Sequence, residues 1–160
     1  MNLVKSTKIL GIDPGIARMG YGIIEDNKQN TRAVAFGCFE TSSAQPHYER
    51  LLAIHNELLK IIKKYKPQKI AVEQLFFSKN VKTALVVGEA RGVILLTCAE
   101  CKVPIIEISP KTVKQTLTGY GQADKQQMQK MVQLFLKLKT PPQPDDAADA
   151  LAIAIAAARI

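Results

Sequence analysis

The segment KILGIDPGIARMGYGIIED, residues 8–26, decides the fold, because it contains two apolar runs separated by a turn. The first run, Lys8–Ile12, ends in Asp-Pro-Gly, and the second, Gly20–Glu25, follows after a short connection. Short apolar runs bounded by Gly and Pro are typical of β-strands. A third strand is predicted over Arg32–Thr41, so the chain should begin with an antiparallel meander.

The rest of the chain alternates helical and strand patterns. Apolar positions recur with the helical period in Tyr48–Tyr65, and later helices are predicted from Pro110, around Met128–Leu138 and from Asp145. Further predicted elements are a strand at Lys69–Glu73, a long apolar helix at Val81–Cys101 and a strand at Val103–Ile108. We therefore expect an α/β fold, a five-stranded mixed sheet with helices on both faces, in a single domain spanning residues 1–160.

Composition narrows the class of partner. The chain has 160 residues, 47% of them hydrophobic, and a formal net charge of +8. Such a basic balance favours binding to nucleic acid through its phosphates. An acidic lipid surface fits less well, because no basic segment carries Trp and Phe on an opposite face. The apolar run at 92–99 is too short to span a bilayer, and the expected location is the cytoplasm.

The three cysteines are expected to be free thiols of a reducing compartment. Cys98 and Cys101 form a CxxC, but the sequence has no second one, and both histidines lie far away in the chain. Packing at the end of an apolar helix is the favoured interpretation, with a zinc or redox role as the minor alternative.

Two carboxylates follow predicted strands. Asp13 closes the first strand and Glu73 ends the fourth. Each has an ordinary interpretation, as a turn aspartate or as the point where a strand reaches solvent. However, these strands can be parallel neighbours joined by a helical crossover, which would place both acids where α/β sheets bind ligands.

The last predicted helix adds two more acids. In DDAADALAIAIAAA, residues 145–158, the only polar side chains are aspartates. Asp145 and Asp146 are explained as an N-cap and first-turn acids that favour the helix dipole. Asp149 lies further into a helix that should be buried, where an unpaired carboxylate is costly. Because residues three apart share a helix face, Asp146 and Asp149 can point at one site.

These four acids inside a basic protein suggest a metal centre. All-oxygen ligation suits Mg²⁺ or Mn²⁺ rather than zinc. Two such ions, roughly 4 Å apart, can activate a water molecule and stabilise the leaving oxygen in phosphodiester hydrolysis. The sequence therefore predicts a metal-dependent nuclease.

The motifs resemble those of the bacterial RuvC crossover junction endodeoxyribonucleases, the Holliday-junction resolvases. The matching segments are GIDPG at 11–15, GYGII at 20–24, AVEQLFFSKN at 71–80, GEARG at 88–92, VKQTLTGYG at 113–121 and DAADALAIAI at 146–155. The resemblance implies a ribonuclease-H-like fold and a homodimer. It also implies paired Mg²⁺-dependent nicks across a four-way DNA junction, in recombination and repair, with the branch-migration proteins RuvA and RuvB as partners.

The resemblance also assigns residues. It implies that the catalytic and metal-binding acids are Asp13, Glu73, Asp146 and Asp149. For DNA, it implies that Lys114 and Lys125 contact the backbone near the scissile phosphate, and that Phe76 stacks on an unpaired base. Lys79 and Lys82 lie beside Phe76 in the sequence and are further candidates for phosphate binding.

Other basic residues are less specific. The run Lys60, Lys63, Lys64, Lys66 and Lys69 favours a solvated surface at the end of a helix. Arg91, inside an apolar helix, can pair across a dimer interface or with a core acid.

Three alternatives to a junction nuclease are open from sequence. A junction-binding protein without chemistry gives no reason to cluster acids. An actin-like ATPase also begins with a Gly-Ile-Asp strand and hairpin, but it needs a second domain to enclose its nucleotide. A related nuclease that processes RNA is separated only by testing substrates.

Overall fold

The computed structural model describes residues 5–76 and 80–160. The strands are β1 (Thr7–Asp13), β2 (Arg18–Asp26), β3 (Thr31–Glu40), β4 (Lys69–Glu73) and β5 (Ile105–Ile108). The helices are α1 (His47–Tyr65), α2 (Val81–Glu100), α3 (Pro110–Thr118), α4 (Lys125–Phe135) and α5 (Asp145–Ala158). Lys79, a predicted phosphate-binding residue, and its neighbour Phe77 lie outside the described residues.

The five strands form one mixed sheet in the order β3-β2-β1-β4-β5. The first three strands are antiparallel, whereas β4 runs parallel to both β1 and β5. Ile12 of β1 pairs with Val72 of β4, so Asp13 and Glu73 each come one residue after this pair. The prediction that their strands are parallel neighbours is confirmed.

Helices cover both faces of the sheet, as predicted. Because side chains alternate along a strand, β1 buries Ile9 on one face and Leu10 and Ile12 on the other. The Ile9 face packs against α3, α4 and α5, and the opposite face packs against α1 and α2. Among the described residues, no helix is long and apolar enough to cross a membrane.

Helix α5 lies unusually close to the sheet. A Cβ atom placed on Gly11 would be 2.1 Å from the carbonyl oxygen of Ala150, and one on Gly20 would be 2.1 Å from that of Asp146. Such distances are far inside van der Waals contact, so only glycine allows these backbones to approach. The glycines of β1 and β2 therefore fix the start of α5, and the acids it carries, beside the end of β1.

One detail of α5 differs from expectation. Pro144, not Asp145, occupies the N-cap position, and no side chain caps the helix there. Asp145 is instead the first helical residue, and its carboxylate accepts hydrogen bonds from Lys125 at 2.7 Å and Gln129 at 2.9 Å. The N-cap interpretation of Asp145 is wrong, because two residues of α4 already occupy its oxygens.

Candidate active site

The four acids selected from the sequence come from three elements that meet at one end of the sheet. Asp13 ends β1, Glu73 ends β4, and Asp146 and Asp149 lie in the first two turns of α5. All four side chains are partly buried. Glu73 and Asp149 line the same cleft, of about 230 Å³, together with Lys114 and Lys125.

Electrostatics indicate that these acids lie close to one another. Burial is the largest cause that raises the pKa of Asp13, from 3.8 to about 8. The next causes are the negative charges of Glu73, Asp149 and Asp146. Burial and then the charge of Asp149 raise the pKa of Glu73 to about 7. The acids thus repel one another, and a cation among them would lower these pKa values.

The positive charges of Lys114 and Lys125 offset part of the repulsion among the acids. Lys114 lowers the pKa of both Glu73 and Asp149, whereas Lys125 lowers that of Asp13 and Asp149. Even so, burial keeps the pKa of Asp149 above its ordinary value. The two lysines selected from the sequence therefore act electrostatically on the acids whose cleft they share.

Asp145 and Asp146 are adjacent but differ in environment. The hydrogen bond from Lys125 holds the pKa of Asp145 below its usual value. Asp146 instead forms an ion pair with Arg18, whose Nε lies 3.1 Å from Oδ2. The Asp146 charge also acts on Asp13, which places Asp146 at the acid cluster. Sequence reasoning missed Arg18, which carries no helical or motif signal of its own.

The chemistry of these donors fits a hard divalent cation. The cluster offers carboxylate oxygens, has no histidine, and is short of positive charge, as the raised pKa values of Asp13 and Glu73 indicate. Within residues 5–76 and 80–160, however, no three His, Cys, Asp or Glu side chains are already gathered closely enough to hold a metal ion. Metal binding would therefore require some of these carboxylates to turn toward a shared ion.

Two other DNA-binding candidates, Phe76 and Lys82, are exposed at the surface. Phe76 follows β4 by three residues, and 63% of its surface is exposed. Lys82 lies exposed in the first turn of α2. A core role for Phe76 is thus excluded, and its ring is free to contact a ligand.

Arg91 is explained by contacts within the chain. Its Nε donates to the backbone oxygen of Glu73 at 3.0 Å, and its guanidinium pairs with Glu107 of β5. Only 16% of the Arg91 side chain is exposed. Arg91 thus pairs with an acid of its own chain, but Glu107 is 48% exposed, so the predicted core acid is not its partner. Arg91 ties α2 to the end of β4, where Glu73 lies.

The first cysteine of the CxxC, Cys98, is a core residue. Cys98 is fully buried in the core between the sheet and α1 and α2, and burial raises its pKa to about 12. A thiolate, which zinc or redox chemistry requires, is therefore disfavoured at neutral pH. The packing interpretation of Cys98 is supported.

A pH dependence of stability follows from Asp13. Burial raises the pKa of Asp13 from 3.8 in the unfolded chain to about 8 in the folded one. The folded state is therefore favoured below pH 3.8, and this advantage is lost progressively as the pH rises toward 8. In EDTA, Asp13→Asn should melt near the wild-type temperature at pH 4 and above it at pH 8. Thermal melts across this range measure the difference. A difference that does not change with pH would contradict the raised pKa.

Comparison with known proteins identifies the family. The family model for Crossover junction endodeoxyribonuclease RuvC matches residues 9–157. The chain is 53% identical over 150 residues to the protein of that name from Roseiflexus sp. (strain RS-1), covering 94% of this chain and 89% of the relative. It is 55% identical over 148 residues to that of Chloroflexus aurantiacus, covering 92% and 90%.

Solved structures agree. The Thermus thermophilus RuvC structure matches with a TM-score of 0.85 and 37% identity, covering 93% of this chain and 92% of that one. The same protein in complex with a Holliday junction substrate matches with a TM-score of 0.85 and 34% identity, covering 93% and 91%. The yeast mitochondrial Holliday junction resolvase Ydc2, at 18% identity and a TM-score of 0.66, covering 96% and 79%, shares the fold. The predicted fold class is confirmed, and the chain belongs to the RuvC family of crossover junction endodeoxyribonucleases.

Proposed function

We propose that this protein is a structure-specific DNA endonuclease. It resolves four-way (Holliday) junctions by paired, symmetric, metal-dependent nicks during homologous recombination and DNA repair. The observation that carries the proposal is the meeting of Asp13, Glu73 and the first turns of α5 at one end of the sheet, in a chain of the RuvC family. Acids that repel one another destabilise the folded state, and a role as ligands of catalytic metal ions explains why they are clustered.

The four acids are the proposed metal ligands. Asp13, Glu73, Asp146 and Asp149 would hold Mg²⁺, with two ions per site and Mn²⁺ as a substitute. When bound, such ions activate the attacking water and stabilise the charge on the leaving oxygen. The protein contributes the rigidity of the ligand set, because Glu73 is fixed through Arg91 and α5 is fixed against the glycines of the sheet.

The cations around the acid cluster are the proposed phosphate contacts. Lys114 and Lys125 border the cleft that Glu73 and Asp149 also line, so a phosphodiester entering the cleft meets both charges at once. Lys82, and Lys79 by its place in the sequence, are further proposed phosphate contacts. The exposed ring of Phe76 would stack on a base at the junction centre, where pairing is interrupted.

Paired nicks require two active sites, and we infer a homodimer on this basis. Helix α2 exposes large apolar side chains that none of the described residues covers, with Val81 at 79%, Leu85 at 63% and Leu96 at 59% exposure. Such a face is typical of a subunit interface. The branch-migration proteins RuvA and RuvB remain predicted partners, inferred from the family alone.

One experiment tests the proposed function. The protein is incubated with an end-labelled four-way DNA junction, a linear duplex of the same sequence and a structured RNA, each with Mg²⁺ or with EDTA. We expect Mg²⁺-dependent nicks at symmetric positions in two junction strands of like polarity. Sedimentation of the protein–junction complex in the same buffer gives the number of protein chains bound to each junction. Cleavage of the RNA in preference to the junction would overturn the proposal in favour of an RNA-processing nuclease.

The lysine assignment is tested by a matched set of substitutions. Lys114→Ala and Lys125→Ala should each reduce junction cleavage by roughly tenfold, because each removes a charge-assisted contact to phosphate. Lys63→Ala and Lys64→Ala, in the exposed last turn of α1, should reduce it much less. Single-turnover rates at one salt concentration provide the comparison. Equal losses from all four substitutions would mean that the lysines of the cleft act only through net charge.

A further inference from the structure

Arg18 is a third cation at the acid cluster, and it comes from the sheet rather than from the helices that carry Lys114 and Lys125. It begins β2, whereas Glu73 ends β4, and β1 with Asp13 lies between these two strands. Its guanidinium contacts two carboxylates, Asp146 at 3.1 Å and Glu40 at 3.3 Å. No function has yet been assigned to this third cation.

Besides a hydrogen bond with Cys38, Arg18 has two carboxylate partners, and these hold it unequally. Glu40, its neighbour across the β2–β3 ladder, is 66% exposed, so water screens that ion pair strongly. Asp146 is only 27% exposed and is the tighter partner. Asp146 is also a proposed metal ligand, and a divalent cation competes with a guanidinium for the same carboxylate oxygens. Metal binding would therefore weaken the better of the two contacts.

A released Arg18 would be well suited to DNA. Nearly half of its side chain, 47%, is exposed. The contacts to Asp146 and Glu40 use Nε and one terminal nitrogen, and a guanidinium has five N–H donors in a planar fork that matches a phosphate. Arg18 thus has Asp146 as its partner when no metal is bound. Once metal and DNA are present, a DNA phosphate can take its place.

We propose that Arg18 is a phosphate-binding residue that exchanges partners. Without metal it neutralises Asp146; when a divalent cation takes Asp146, Arg18 binds a backbone phosphate of the DNA strand that lies over the start of β2. This inference rests on the proposed function, since it requires both a metal at the acids and DNA across them. It predicts two effects of removing the Arg18 charge, and these have opposite signs.

The first effect concerns metal alone. In DNA-free protein, Arg18→Gln removes a cation that competes for Asp146, so Mn²⁺ should bind several-fold more tightly than to the wild type. Isothermal titration with Mn²⁺ measures this affinity. The control Lys63→Gln removes the same charge from α1, on the other face of the sheet from α5, and should leave the Mn²⁺ affinity unchanged.

The second effect concerns junction binding, measured against salt without any cleavage. In Ca²⁺, used here to replace Mg²⁺, Arg18→Gln should lower the slope of log affinity against log salt by about 0.9, the value for one lost phosphate contact. In EDTA the slopes of variant and wild type should coincide, because Arg18 is then held by Asp146. Arg18→Lys, which keeps the charge but not the fork, should restore most of the slope in Ca²⁺.

Two other results would contradict the proposed exchange of partners by Arg18. If Arg18→Gln binds Mn²⁺ more weakly and melts at a lower temperature, the ion pair with Asp146 is structural and the exchange is overturned. If wild-type protein cleaves the junction but the slopes in Ca²⁺ coincide, the exchange is also overturned, while the proposed function stands. A wild-type protein that neither binds nor cleaves junctions would overturn both.

Discussion

Replacing any one of the four acids by its amide should reduce Mg²⁺-dependent junction cleavage by on the order of 10³-fold or more, since metal ions contribute several kcal/mol to such reactions. The four substitutions are Asp13→Asn, Glu73→Gln, Asp146→Asn and Asp149→Asn. Junction affinity in EDTA should stay at least as high as in the wild type, because each change removes a negative charge near the DNA. Cleavage rates and a binding titration on the same preparations give both values.

The matched control for this series is the acid next to the cluster. Asp145→Asn should cost less than about tenfold, because its carboxylate is engaged by Lys125 and Gln129 rather than by the other acids. The contrary pattern, an inactive Asp145→Asn with an active Asp146→Asn, would show that the metal-binding acid of the first turn of α5 is misassigned.

The second largest effect is expected at Phe76. A stacked aromatic ring contributes roughly 1 to 3 kcal/mol per base, so Phe76→Ala should lower cleavage of a fully paired junction by about 5- to 150-fold. A junction with mismatches at its centre already has unpaired bases, and there the loss should be much smaller. Because the ring is 63% exposed, the melting temperature should hardly change. Single-turnover rates on the two junctions measure the difference.

A surface control makes this result specific. Leu134, on α4, is exposed to a similar extent, at 57%, and Leu134→Ala should leave both cleavage rates unchanged. If Phe76→Ala slows both junctions equally, the ring does not act at unpaired bases, and its stacking role is refuted.

The sequence predicts the sheet and the acids well because both depend on local signals. Asp13 and Glu73 each end an apolar run, and the fixed handedness of crossovers between parallel strands leaves few ways to arrange β1 and β4. In α5, aspartates in an otherwise apolar helix stand out by contrast alone. These features need no knowledge of distant contacts.

The contacts between distant segments are what the sequence does not predict. Arg18 looks like an ordinary strand residue, yet its main partner, Asp146, lies in another element more than a hundred residues later. Likewise, Asp145 resembles a helix cap in the sequence, and only the packing of α4 against α5 shows that its carboxylate is bound by Lys125 and Gln129 instead. Such pairings depend on how elements pack, which leaves no periodic trace in a single sequence.

The close approach of α5 to Gly11 and Gly20 has an evolutionary consequence. Selection for activity retains acids that repel one another, and this repulsion destabilises the folded state. A side chain added at either glycine would collide with the α5 backbone, so substitutions there disturb the helix. The readiest stabilising substitutions therefore lie at the acids themselves. In this lineage, therefore, thermal robustness gained at α5 should come at the expense of catalysis.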